Sequence, residues 1–141
     1  MAGKSDYLEN RILDHFYGAT ASTAPATIYV GLVTTLPNDA STSGALSPGV
    51  EVTGGSYARV AVTSNATNWP AAAAGAKANG TAITFPAPTA AWGVIVGFFL
   101  SDVASGAGNI LHWGAITPNK TVNNGDPAPS FAVGDLDITE D

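Results

Sequence analysis

Residues 92–100 read Trp-Gly-Val-Ile-Val-Gly-Phe-Phe-Leu, an almost unbroken apolar run. The glycines in it make a helix unfavourable, because each costs roughly 1 kcal/mol relative to alanine in a helix interior. A continuous apolar run of this length is typical of a strand that is covered on both faces. We therefore predict that residues 92–100 form the central strand of a β-sheet.

The segments around this run predict further strands. Residues 105–109 read Ser-Gly-Ala-Gly-Asn, a turn after which residues 110–116 pair back as a hairpin. Alternating apolar residues or β-branched residues between turn signals predict further short strands over residues 27–36, 50–53, 57–63, 81–85 and 120–122.

The last predicted strand changes its phase. Phe131 and Val133 share one face, whereas Leu136 would fall on the other face if the alternation were unbroken. One extra residue at Gly134-Asp135 restores the alternation, since glycine accepts the unusual backbone angles of a bulge. We therefore predict a β-bulge at residues 134–135.

The N-terminal segment predicts a helix over about residues 5–17. Asp6 and Glu9 resemble a capping box, and Gly18 ends the pattern. The apolar residues fall on one broad face, which comprises Leu8, Ile12, Leu13 and Phe16. Such a helix is either a lid over one end of the β-core or an arm that docks on a neighbouring protein.

The whole pattern predicts an all-β chain with a short N-terminal helix. Two long loops, at residues 37–49 and 64–81, separate groups of short strands, and no βαβ periodicity or internal repeat is visible. We expect a jelly-roll-like antiparallel β-sandwich of about seven or eight strands. The expected division is an N-terminal helix or arm at residues 1–18 and one sandwich domain at residues 19–141.

Composition narrows the classes of partner. The chain has no cysteine, a formal net charge of −6 and only five lysines and arginines, which are dispersed along the sequence. Such a chain has no basic patch for a phosphate backbone, so we expect no direct nucleic-acid binding. No segment approaches the roughly 20 apolar residues of a membrane span, and we expect no membrane partner.

The residues that could carry chemistry do not form a motif. His15 and His112 are the two histidines, and neither lies in a nucleophile-elbow, P-loop or zincin pattern. Asp135, Asp137 and Asp141 form an acidic set whose spacing matches no calcium loop, so a solvated face is the better interpretation. We expect no enzyme activity, no catalytic residue, no cofactor and no metal.

Candidate partner-binding residues lie on the helix and in the second loop. Tyr7, Arg11 and Tyr17 fall off the apolar helix face and suit an anchoring role. Most large aromatics at strand spacing fill the space between sheets, but Trp69 stands beside Pro70 in a predicted loop. We expect Trp69 to be exposed and to anchor a partner.

Several segments resemble, in the same order, a family of small phage virion proteins. They are Ser5-Asp6-Tyr7-Leu8-Glu9-Asn10 with Leu13-Asp14-His15, then Ile28-Tyr29-Val30-Gly31-Leu32, Gly54-Gly55-Ser56-Tyr57-Ala58-Arg59, and Ile83-Thr84-Phe85-Pro86. Within that family the chain looks like the jelly-roll cement protein of a Bordetella phage, while other relatives are described as tail fibre or structural proteins.

The resemblance implies a structural protein that is incorporated into the virion, and the absence of cysteine fits synthesis in the reducing cytoplasm of the host. The first hypothesis is a cement or decoration protein on the capsid exterior, with the major capsid protein as its partner. We also expect a homodimer, since the edge strands of a β-domain need cover. The alternative hypothesis is a tail or tail-fibre component. A compact domain without repeats favours the capsid hypothesis over the fibre hypothesis.

Overall fold

The computed structural model describes residues 3–140. One helix, α1 (Asp6–Phe16), lies near the N-terminus of the described residues, as predicted. The strands in this range are β1 (Gly3–Lys4), β2 (Thr27–Thr35), β3 (Val50–Glu51), β4 (Val60–Thr63), β5 (Ala76–Ala78), β6 (Ile83–Thr84), β7 (Gly93–Ser101), β8 (Ile110–Val122), β9 (Ser130–Phe131) and β10 (Asp137–Thr139). All paired strands are antiparallel, and the predicted all-β sandwich with one short helix is confirmed.

The large sheet is built around β7, the strand predicted to be central. Its strand order is β1-β8-β7-β2-β3, and β4 also pairs with β2. β7 lies between its hairpin partner β8 and β2, and its residues from Gly97 to Ser101 are all buried. The second half of the apolar run is therefore covered on both faces, whereas Val94 near its start is exposed.

Two short strand pairs, β6–β9 and β5–β10, make the second layer over the main core. The main core lies between the layers and includes Phe98 of β7, Ile83 of β6 and Leu136. Asn79 is a buried polar residue in this layer. Its amide nitrogen donates to the Thr81 and Ala132 carbonyls at 2.8 Å each, and its Oδ1 accepts from the Leu136 backbone N–H at 2.9 Å. A fully satisfied amide of this kind stabilises the layer without leaving a buried polar atom unpaired.

The predicted loop at residues 37–49 covers the other face of the large sheet. Leu46 is buried there against Val33 and Phe99, together with Ile110 and Trp113. This segment therefore contributes to a small second core, whereas the sequence predicted a long exposed loop. The sequence does not indicate this contribution to a core, because most residues of the segment are small or polar and Leu46 is the one large apolar side chain at its centre.

Three predictions about local structure are wrong. The segment at residues 64–81 contains β5, which pairs with the distant β10 and has no apolar alternation of its own. The last strand has no bulge at residues 134–135, because it is two strands, β9 and β10, in different sheets. A turn joins them, with Gly134 at φ +83° and a hydrogen bond from Asp135 N to Ala132 O at 3.1 Å. Residues 120–122 are the end of β8 and not a separate strand.

Candidate functional site

The N-terminal segment is firmly attached where helix α1 begins. β1 pairs with β8 at Trp113 and His112, and Ser5 is fully buried. The Ser5 hydroxyl donates to the Ile110 carbonyl and accepts from the Leu8 N–H at 3.3 Å. Ser5 is therefore the N-cap, one residue before the predicted capping residue Asp6.

One side of α1 forms a groove with residues 22–25 and Leu111, with a cavity volume of about 290 Å³. Tyr7, Leu8, Arg11 and Ile12 line it from the helix, and all four are half-buried. The Arg11 guanidinium lies 5.8 Å from the centre of the Tyr7 ring, and its Nε donates to Ser22 Oγ at 3.1 Å. Arg11 is thus directed toward its own chain.

The opposite side, here called the outward face, consists of Asp6, Glu9, Asn10, Leu13, Asp14 and Tyr17, which are all exposed and do not line the groove. Leu13 is 53% exposed and Tyr17 is 86% exposed. Phe16, at the border between groove and outward face, is 73% exposed. No residue of α1 is fully buried, so the apolar side chains of this helix are only partly used by the fold.

Three of the four predicted partner-binding residues lie in α1 or directly after it, but on two different sides of the helix. Tyr7 and Arg11 line the groove, and Tyr17 lies on the outward face. The expectation that Trp69 is exposed is wrong, because its side chain is 6% exposed within the main core. Pro70 predicted a surface loop, but Gly80 N donates to Asn68 O at 2.7 Å and draws this loop onto the second layer.

The two histidines lie in different environments. His15 is exposed on α1, and its Nδ1 is 3.1 Å from the Thr20 carbonyl oxygen. His112 is buried on β8, where its Nε2 is 3.4 Å from the Thr139 carbonyl oxygen. Burial lowers the pKa of His112 below its ordinary value of 6.5. Both environments are consistent with histidines that stabilise structure.

The acidic residues near the C-terminus take separate roles. The Asp135 carboxylate accepts from the Ala132 N–H at 3.2 Å and holds the turn, while Asp137 is exposed in β10. Asp141 lies outside the described residues. Within residues 3–140, no group of three or more His, Cys, Asp or Glu side chains is arranged to hold a metal ion. No helix in the same range is long and apolar enough to cross a membrane.

A polar network centred on Arg59 and Glu51 was not predicted from the sequence. Arg59 makes two hydrogen bonds to Glu51, and its Nη1 and Nη2 also donate to the Val103 and Ser43 carbonyls at 3.1 and 3.0 Å. Tyr57 OH donates to Glu51 Oε1 at 3.0 Å, and burial together with the Glu51 carboxylate raises the pKa of Tyr57. The sequence feature that could have indicated this network is the segment Gly54–Arg59, which carries both Tyr57 and Arg59.

The network joins β3 to the loops at residues 37–49 and 102–109, so its role is structural. The Arg59 guanidinium also lies 4.9 Å from the centre of the Phe99 ring, over the small second core. Cation–π contact and bidentate pairing both suit arginine more than lysine.

Comparison with known proteins identifies the family. The family model described as podophage GP4 fiber I protein gp80 matches residues 3–139. No curated protein matches the sequence. A fibre protein family supports a phage structural role in the virion, and it fits the tail-fibre hypothesis better than the capsid cement hypothesis. The chain therefore belongs to the podophage GP4 fiber I protein gp80 family of phage structural proteins.

Proposed function

We propose that this protein is a non-enzymatic structural component of a phage tail-fibre assembly. The observation that carries the proposal is the family match, which spans residues 3–139 and so includes both α1 and the sandwich. The histidines support it, since His15 and His112 lie on different elements and each contacts a backbone carbonyl. A hydrolase of the Ser-His-Asp or histidine-metal type would need one of these histidines beside a nucleophile or a metal.

In this proposal the sandwich is the rigid body and α1 is the attachment element. The Arg59 network and the buried Asn79 amide cross-link the loops and the second layer, which suits a part that transmits mechanical load. Helix α1 is fixed at Ser5 but leaves Leu13, Phe16 and Tyr17 exposed. The arm hypothesis from the sequence is thus favoured over the lid hypothesis.

Localisation on the particle tests this function. Gold-labelled antibody against the sandwich, or difference density between wild-type virions and virions that lack this protein, should mark the tail or its fibres. Label on the capsid faces alone would refute the fibre assignment.

The second candidate is the capsid cement protein that binds the major capsid protein. The observation that favours it is the compact sandwich of short strands, since fibre shafts are commonly elongated and repetitive. The same localisation experiment separates the two candidates.

A further inference from the structure

The outward face of α1 carries an apolar strip that its own chain does not cover. Leu13 and Tyr17 are one helical turn apart, a spacing at which side chains are neighbours, and Phe16 adjoins them. The other large exposed apolar residues lie apart from one another, with Val50 in β3, Val94 in β7 and Val133 in the turn between β9 and β10. Single exposed apolar residues are normal, but a contiguous set marks an interaction surface.

The charges around this strip have one sign. The outward face carries the carboxylates of Asp6, Glu9 and Asp14 and no cation. Within residues 3–140 none of these carboxylates has a side-chain hydrogen bond. The nearest cation on the helix, Arg11, is directed into the groove by Ser22 and Tyr7.

Asp14 shows that the acidic rim does not serve the helix alone. Asp6 and Glu9 lie in the first turn, where the helix dipole favours negative charge. Asp14 lies near the C-terminal end, where the same dipole disfavours it. A cation of a partner that approaches Asp14 would offset this dipole effect.

We propose that the outward face of α1 docks into an apolar groove flanked by lysine or arginine side chains on another virion protein. Leu13 and Tyr17 fill the groove, and the three carboxylates pair with the cations at its rim. This mode is the helix-in-groove recognition used by many amphipathic helices. The inference rests on the proposed function only in that the partner is another protein of the same virion.

Charge complementarity selects this partner over a second copy of the chain. Two outward faces placed against each other would bring three carboxylates of one copy against three of the other. The formal net charge of −6 adds to that repulsion. A basic-rimmed groove instead gains attraction that speeds association and weakens as salt rises.

Zero-length cross-linking on intact virions identifies what lies against the outward face. A carbodiimide joins carboxylates directly to nearby lysine amines, and mass spectrometry locates the joined peptides. We expect links from Asp6, Glu9 or Asp14 to lysines of a different virion protein. Links from these residues only to the lysines of this chain itself, which are Lys4, Lys77 and Lys120, would overturn the proposal.

Matched double variants test the face itself. L13S/D14N removes one apolar and one acidic side chain from the outward face, and V133S/D137N makes the same changes at exposed positions in and before β10. Virions would be assembled with each variant supplied in place of the wild-type chain, and occupancy measured by quantitative mass spectrometry. We expect about a tenfold loss of affinity for the particle with L13S/D14N and no loss with V133S/D137N.

A folding control and the localisation experiment distinguish failure of the docking proposal from misfolding and from failure of the fibre assignment. Circular dichroism should show that both double variants melt with the wild-type protein, because the altered side chains are exposed. Equal occupancy of the two variants would overturn the inference, even if labelling places the protein on the tail. Label on the capsid with a specific loss for L13S/D14N would refute the fibre function but retain the docking face.

Discussion

The guanidinium of Arg59 donates two parallel hydrogen bonds to the carboxylate of Glu51, from Nε to Oε1 at 2.8 Å and from Nη2 to Oε2 at 2.7 Å. The Arg59 side chain is only 3% exposed. Bidentate geometry and burial make this pair stronger than an ordinary surface ion pair, but they also make either partner costly to remove.

Replacing Arg59 by methionine should destabilise the protein strongly. The substitution leaves the Glu51 carboxylate without its cation and the Ser43 and Val103 carbonyls without a donor. We expect the free energy of unfolding to fall by about 3 kcal/mol, measured by urea denaturation. Lys120→Met, at an exposed position of β8, is the control and should change it by less than about 0.5 kcal/mol. Equal midpoints for the two variants would show that the network contributes nothing.

Replacing Gly31 by alanine should also destabilise the fold. A Cβ at this position of β2 would lie 2.3 Å from Phe99 Cε1, and Phe99 is fully buried. We expect a loss of roughly 1–3 kcal/mol, since overpacking forces backbone or rotamer shifts. At Gly3 the nearest atom to an added Cβ is Asp39 Oδ1 at 3.5 Å, so Gly3→Ala is the matched control. A Gly31→Ala variant that melts with the control would contradict this packing.

His112 should make stability depend on pH below about 6.5. Its folded pKa is lowered by burial, so below the ordinary value of 6.5 the unfolded chain binds the proton more readily than the folded chain. The free energy of unfolding should therefore fall as pH falls through that window and level off once both states are protonated.

Comparing His112→Gln with His15→Gln isolates this effect. The first variant should lose the pH dependence that the wild-type protein shows just below 6.5, and the second, at an exposed position, should keep it. Thermal melts across this range provide the measurement. Neither variant should lose particle function beyond its change in stability, and a specific loss of a hydrolytic activity would argue for a catalytic histidine.

Truncating Trp69 should lower the free energy of unfolding far more than truncating Tyr17. Trp69→Ala removes a large core side chain and should cost about 3–5 kcal/mol of stability. Tyr17→Ala removes a side chain that is 86% exposed and should leave stability within about 0.5 kcal/mol. Urea denaturation gives both values. Similar losses for the two variants would mean that Tyr17 packs against the fold.

The predictable part of this protein is local in sequence. Residues 92–100 are apolar and contain glycine, which favours a buried strand over a helix, and residues 110–116 return beside them through a short turn. The same holds for α1, whose residues Asp6 to Phe16 follow the helical period and precede Gly18. In each case the determining residues are neighbours along the chain, and the sandwich class follows from their number and spacing.

Only the tertiary structure decided which surfaces are covered. β5 exists because β10 pairs with it, and the last segment divides between two sheets because Phe131 and Ile138 meet different partners. Trp69 is buried although its place in a predicted loop indicated exposure, and Leu13 is exposed although the sequence left open whether the apolar face of the helix is covered. Burial depends on what another part of the chain places against a side chain. Hydrophobic periodicity indicates which face of a helix or strand could be buried. Contacts with distant parts of the chain determine which face is buried in the folded protein.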